Sequence, residues 1–209
     1  MKRPVIIGLT GSIGMGKSTA ARMFRDLGIP VFDADATVHV LLGPGGGAVA
    51  AVEEAFPGVV KDGAVDRGEL GRRVFGDNAA LRRLERIIHP RVFRAERRFI
   101  AKAMRERKRM VVRDVPLLFE TGGDRRCDVT VVVSAPAHMQ AQRVLARPGM
   151  TRERFEAIRA KQMPDAQKRR RADFVVPSGL GRGLTRRAVT GIVRKIMDGK
   201  TKGRRRRHA

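Results

Sequence analysis

The segment Val5-Ile6-Ile7-Gly8-Leu9-Thr10-Gly11-Ser12-Ile13-Gly14-Met15-Gly16-Lys17-Ser18 passes from an apolar run through a glycine-spaced turn into a helix-forming stretch. The spacing G-x-x-x-x-G-K-[ST], directly after a strand and directly before a helix, is that of a phosphate-binding loop. Its spelling follows from its chemistry. Glycines at 11, 14 and 16 let the backbone curl, so that successive N–H groups point into one concavity able to hold a polyphosphate oxygen. The positive end of the following helix adds to the attraction. In such a loop Lys17 reaches the β- and γ-phosphates and the Ser18 hydroxyl takes one Mg²⁺ position. Gly11, Gly14, Met15, Gly16, Lys17, Ser18 and Thr19 are the expected ATP-binding residues of the loop.

Outward from the loop, five β-branched runs are read as strands: Val5 to Thr10, Pro30 to Asp33, Met110 to Asp114, Val129 to Ser134 and Phe174 to Pro177. Most are near-continuously apolar, as in a parallel sheet covered on both faces. The expected fold class is therefore α/β, a five-stranded parallel sheet. Lys17 to Leu27 is read as a helix stopped by Gly28 and Pro30. The stretch between the second and third strands is too long for one crossover helix. It opens on Gly43-Pro44-Gly45-Gly46-Gly47 and carries helical spacing over 48–56, 67–75, 78–88 and 91–107. A helical insertion over about 43–108 is expected, splitting a core of 1–42 and 109–199. A second polar helical pair, 137–146 and 151–163, is broken at Pro148-Gly149 and suggests a lid over about 137–170. Residues 1–199 thus read as a single domain, followed by a basic tail over 200–209.

Composition narrows the function. Lys and Arg number 45 against 21 Asp and Glu, a formal net charge of +24. Such a balance invites a nucleic-acid reading. Yet there is no Trp and no Tyr, and the nine Phe fall mostly in apolar helix or strand patterns rather than on a stacking platform. No specific nucleic-acid partner is expected; the positive charge suits a protein handling phosphorylated small molecules. No run is apolar enough for a membrane span, no signal peptide is expected before the first strand, and Cys127 is the sole cysteine. A cytoplasmic protein without an internal disulfide is expected, a monomer or weak homo-oligomer.

Among phosphate-loop proteins, a GTPase needs an Asn-Lys-x-Asp motif, and the only asparagine here is Asn78 in Asp77-Asn78-Ala79-Ala80. No Leu-Ser-Gly-Gly-Gln transporter signature occurs either. The short chain, the insertion and the arginine-rich lid leave a small-molecule kinase, in which catalysis is mostly positioning and charge neutralisation. The order of Gly8-Leu9-Thr10-Gly11, Phe32-Asp33-Ala34-Asp35, Ile87-Ile88-His89-Pro90, Val115-Pro116-Leu117-Leu118-Phe119-Glu120 and Arg171-Ala172-Asp173-Phe174-Val175-Val176 resembles the dephospho-coenzyme A kinase family across nearly the whole chain. It departs from that pattern at Ser12, where glycine is usual, and at Pro177-Ser178-Gly179, where asparagine is common.

The resemblance implies a P-loop kinase core and transfer of the γ-phosphoryl group of ATP, with Mg²⁺, to the ribose 3′-hydroxyl of dephospho-coenzyme A. Another nucleotide or nucleoside kinase, and an RNA-binding protein with an incidental ATP site, are the alternatives. Asp33, at a strand end where open α/β sheets bind ligands, is expected to accept the hydroxyl proton or hold the Mg²⁺ hydration shell, leaving Asp35 as the helix cap or as a group supporting the site from behind. Asp114 ends its strand and is expected either to bind Mg²⁺ through water or to bond the loop. Phe119 and Glu120 are expected to face the acceptor, with Leu117 in the core. His89, read as lying between two insertion helices, is a candidate acceptor contact. Arg143 and Arg147, four apart on one helix face, suit the transferring phosphates: Arg143 as an ATP contact and Arg147 as the catalytic lid arginine. Lys168 to Arg171 reads as a basic helix end.

Overall fold

The computed structural model describes residues 3–200, so the expected basic tail lies, beyond Lys200, outside the described residues. The chain divides into two compact units: residues 3–32 with 103–200, and Asp33–Lys102.

In chain order the first unit begins with β1 (Val5–Thr10) and α1 (Lys17–Asp26), and β2 (Val31–Asp33) ends at the boundary. The second unit holds α2 (Ala34–Leu42), α3 (Val49–Ala55), the short strands β3 (Val60–Lys61) and β4 (Ala64–Val65), α4 (Arg67–Val74) and most of α5 (Asn78–Arg105). The first unit resumes with β5 (Met110–Asp114), a 3-10 turn over Gly123–Arg126, β6 (Val129–Ser134), α6 (Ala137–Leu145), α7 (Arg152–Ala160), α8 (Asp165–Arg171), β7 (Phe174–Pro177) and α9 (Arg182–Met197).

The five long strands form one sheet in the order β2-β5-β1-β6-β7. β1 runs parallel to β5 and β6, with Ile7 opposite Val112 on one side and Val129 on the other. Central strands are covered on both faces, so β5 and β6 are buried at every residue, whereas edge strand β7 alternates. Ile7, Leu9, Val112, Val131 and Val133 meet Ala20 and Phe24 of α1 and Val189, Ile192 and Ile196 of α9 in one apolar cluster. On the other face Gly8 leaves room for Cys127 and Leu118: a Cβ there would stand 2.7 Å from Cys127 Sγ. The expected strands form; α9 was not among the expected helices, although its buried Val189, Ile192 and Ile196 carry helical spacing.

The second unit has its own apolar cluster, including Leu42, Val52, Phe56, Val59, Leu70 and Ile88. Its helices are capped from the surface. Asp66 accepts the N–H groups of Gly68 and Glu69, which holds its carboxyl down to about 2, helped by the Lys61 ammonium. The expectation of two helices meeting at His89-Pro90 is corrected: α5 is a single 28-residue helix with Pro90 inside it. A mid-helix proline costs about 3 kcal/mol. Here Ile88 is buried, and Leu84, Ile87 and Val92 on both sides of the proline pack against the same cluster. At about 1.5–3 kcal/mol per fully buried side chain, that stripe outweighs the interruption. The β3–β4 hairpin was also unforeseen, being only two residues per strand.

Candidate active site

Residues 11–16 turn between β1 and α1 through glycines at 11, 14 and 16, and at Gly14 no other residue fits. Gly14 has φ +76°, and a Cβ on it would lie 2.5 Å from Val144 Cγ2 and 2.9 Å from the Gln140 carbonyl oxygen. The N-terminus of α1 has no side-chain cap and no acidic residue in its first turn. Its positive end is therefore left for an external anion. Met15 N–H is used within the turn, donating to Ser12 O. The Met15 side chain is buried, with its sulfur accepting from Ala135 N–H, so Met15 can meet a ligand only through its backbone.

Lys17 Nζ donates to Asp114 Oδ1 at 2.5 Å, and Asp114 is 4% exposed. Of the two expected roles for Asp114, the bond to the loop is the one formed here. Thr10 Oγ1 donates to Pro116 O at 2.8 Å, tying the strand that enters the loop to the segment after β5. On the other flank Ser178 Oγ donates to Met15 O at 2.6 Å. Arg143 donates to Ser178 O at 2.7 Å, to Ser178 Oγ and to Gly14 O. The serine at the departure after β7 thus braces the loop together with the expected Arg143. Arg147 is exposed just past the end of α6 and has no side-chain partner among the described residues.

Three expectations change. Asp33, not Asp35, is the N-cap of α2, its Oδ1 accepting Ala36 N–H at 2.9 Å. The reason is that α2 begins immediately after β2, putting Asp35 inside the first turn. The Leu117–Glu120 segment is inverted: Leu117 is exposed while Phe119 is 4% exposed, with the Arg171 guanidinium 4.9 Å from its ring centroid. The chain turns tightly there, Thr121 N–H donating to Leu117 O and Gly122 N–H to Phe119 O, so Phe119 is folded under. Lys168, read as part of a solvated helix end, is fully buried, its ammonium 2.8 Å from Glu120 Oε1 and donating to Pro116 O. Glu120 Oε1 also accepts Met163 N–H. Burial pushes the Glu120 carboxyl up, but Lys168 and the Met163 amide outweigh that and hold it below the usual value.

His89 is exposed on α5, its ring 6.2 Å from that of Phe93. It lines an open groove of about 660 Å³ with Arg82, Arg86, Glu85, Ala79 and Pro90. The two groove arginines were missed, one helical turn apart in a chain where arginine is everywhere. Also missed were Gln140 and Gln162, which grip Ile13 from both sides.

The donors available to a divalent ion are the Ser18 hydroxyl, exposed in the first turn of α1, and the Asp114 carboxylate. Both are hard oxygens, which suit Mg²⁺. Among the described residues no group of three or more His, Cys, Asp or Glu side chains could hold a metal. An ion at this site would take its remaining ligands from phosphate and water, the habit of Mg²⁺.

Residues 5–180 match the family model described as dephospho-CoA kinase. A dephospho-CoA kinase of Paramagnetospirillum magneticum is 70% identical over 164 residues, covering 78% of this chain and 77% of that one. Another, of Novosphingobium aromaticivorans, is 53% identical over 97% of this chain and 100% of its own length. Among solved structures, a Thermus thermophilus protein superposes with a TM-score of 0.82 at 36% identity, covering 94% of this chain and 99% of that one. A dephospho-CoA kinase from Campylobacter jejuni shares the fold at a TM-score of 0.62 and 22% identity, over 91% of this chain and 96% of its own.

Proposed function

The chain belongs to the dephospho-CoA kinase family, and from that premise we propose how its residues divide the work. It is a phosphotransferase of coenzyme A biosynthesis, acting on ATP and dephospho-CoA. The acceptor's ribose 3′-hydroxyl attacks the γ-phosphate in line, and the loop holds the ATP polyphosphate in place for that attack.

Lys17 carries the reading. It sits at the first residue of α1 with its ammonium already held near the loop by Asp114. ATP phosphates compete with that carboxylate for the lysine, which then balances charge on the transferred group. The backbone amides of Gly14, Gly16, Lys17 and Ser18, with Gly11, Met15 and Thr19 shaping the turn, cradle the polyphosphate. Ser18 and Asp114 would hold Mg²⁺, which when bound neutralises phosphate charge and draws the γ-phosphorus toward attack. Asp33 takes the hydroxyl proton or orients the hydroxyl; one carboxylate oxygen serves the α2 cap, and the other remains for that task. Arg143 supports the ATP side of the loop, and the exposed Arg147 supplies a guanidinium to the transferring phosphoryl on lid closure. On the acceptor side, His89 with Arg82 and Arg86 offers a cationic groove suited to phosphate groups. Phe119 and Glu120 act on the acceptor through the wall they buttress.

The enzyme is placed in the cytoplasm, as a monomer or weak oligomer, without a specific nucleic-acid or membrane partner. No helix among the described residues is long and apolar enough to cross a membrane. The deciding experiment supplies purified full-length protein with ATP, Mg²⁺ and, separately, dephospho-CoA, adenosine and AMP. Coenzyme A formation, with little transfer to the other acceptors, is expected; preferential transfer to AMP or adenosine would replace this acceptor assignment.

A further inference from the structure

The Ile13 peptide, in the middle of the phosphate loop, is gripped from both sides by side chains of the lid segment. Gln140 Nε2 of α6 donates to Ile13 O at 2.8 Å, and Gln140 is 5% exposed. Gln162, just after α7, accepts Ile13 N–H on its Oε1 at 3.0 Å. The next residue is pinned as well: Met163 N–H donates to Glu120 Oε1, and Glu120 is held by the fully buried Lys168. Lys168 and Thr10 both donate to Pro116 O, which closes the path back to the entrance of the loop.

We infer that Gln162 is a positioning residue for ATP, setting the phosphate loop through the Ile13 amide. The inference rests on ATP occupying that loop. The physical reason lies in the donor count of the turn. Met15 N–H is spent on Ser12 O and Ile13 N–H on Gln162, while Gly14, Gly16, Lys17 and Ser18 keep backbone N–H groups with no partner among the described residues. Gln162 thereby fixes which amides face the polyphosphate and which face away. Without its oxygen the Ile13 amide must find another acceptor, and the Ser12–Ile13 peptide can then swing away from its present orientation to do so. A loop that samples several orientations presents its amides to phosphate for only part of the time, which weakens binding by that fraction. Because Gln140 and Gln162 flank the break at Pro148-Gly149, the same grip makes the placement of both ends of the lid depend on the state of the loop.

The test uses the full chain with Gln162→Met, which keeps length and removes the strong acceptor, together with Gln140→Met and the double variant. ATP and ADP binding is measured by calorimetry, and KM for ATP and for dephospho-CoA by steady-state kinetics. Gln162→Met is expected to weaken ATP binding and raise its KM by about tenfold, with KM for dephospho-CoA within about twofold of wild type. Acting on the two peptide groups that meet at Ile13, the two glutamines should couple, so that the double variant loses less than the product of the single losses. Wild-type ATP affinity in Gln162→Met would overturn the inference. So would an equal rise in both KM values with a lowered melting temperature, the mark of general loosening, or strictly multiplicative losses. Failure of the wild-type protein itself to bind ATP would instead remove the nucleotide reading on which the inference stands.

Discussion

The two units of the chain are built from opposite materials. Every buried polar or charged side chain among the described residues lies in the phosphate-loop unit: Thr10, Ser12, Arg113, Asp114, Asp124, Thr130, Ser134, Gln140, Lys168, Ser178 and Thr185. The helical unit from Asp33 to Lys102 has an interior of apolar side chains and keeps its ion pairs, such as Lys61 with Asp66 and Arg72 with Glu69, at the surface. A buried polar group is costly unless its partners are in place, so it fixes geometry closely and punishes substitution. An apolar interior tolerates shape changes better, and exposed ion pairs contribute little. The difference teaches where precision is needed: around the anion cradle, and far less in the scaffold of the insertion.

The contrast can be broken most directly at Lys17. Lys17→Ala should lower kcat/KM by about a thousandfold or more, since the role proposed for the lysine is to meet charge on the transferred group. Its melting temperature should also fall modestly, because the pair with the nearly buried Asp114 is lost. Near-normal transfer in this variant would refute the loop assignment.

Asp33 sharpens the comparison from the helical side, because its cap and its proposed chemistry can be separated. Asn caps helices about as well as Asp, so Asp33→Asn should leave the melting temperature nearly unchanged while the single-turnover rate falls by about a hundredfold. A wild-type rate would reduce Asp33 to a cap.

Lys168 tests the buried polar frame. Lys168→Met leaves Glu120 without its cation and should destabilise by about 3 kcal/mol. That corresponds to a fall in melting temperature of roughly 6–12 °C for a chain of this size. Adding Glu120→Leu should recover part of the loss, since replacing both charges removes the unpaired one. A double variant no more stable than Lys168→Met would show that the pair is not the source of the effect.

The smallest effects belong to surface caps and acid. Asp66→Ala should lower the melting temperature slightly and leave turnover within about twofold, since the cap has no part in the proposed chemistry. The folded carboxyl of Asp66 sits at about 2, below its ordinary 3.8, so its contribution is complete above the ordinary value and is lost as pH falls toward 2. Glu120 is also depressed in the folded state, so its share is present above its ordinary value of 4.5 and disappears below it. Thermal melts from pH 6 downward should therefore lose stability below about pH 4.5, and Asp66→Ala should flatten the lowest part of that curve.

Much of this molecule is local in origin. The strands β1, β5, β6 and β7 match their sequence runs to the residue, because strands of a covered parallel sheet are rich in β-branched and apolar residues and stand out from the polar helices between them. The phosphate loop is equally legible: three glycines, a lysine and a serine at fixed offsets leave few other conformations or uses. The family resemblance carried by Asp33-Ala34-Asp35, His89-Pro90 and Pro116 to Glu120 added the reaction, which the loop alone does not specify.

What failed to read from sequence depended on partners distant along the chain. Whether Pro90 ends a helix is settled by the apolar cluster on either side of it, not by the proline. Whether Lys168 is solvated or buried is settled by Glu120, 48 positions earlier, and nothing local to either residue announces the pair. Gln140 and Gln162 carry no motif and gain meaning only when folding brings both to the Ile13 peptide. The sequence by itself determined the strands and the phosphate loop, because periodicity and glycine geometry act over a few residues, and its longer motifs carried the family resemblance. Tertiary structure alone decided which polar side chains enter the interior, because the cost of burying each is set by a partner that only the completed fold supplies.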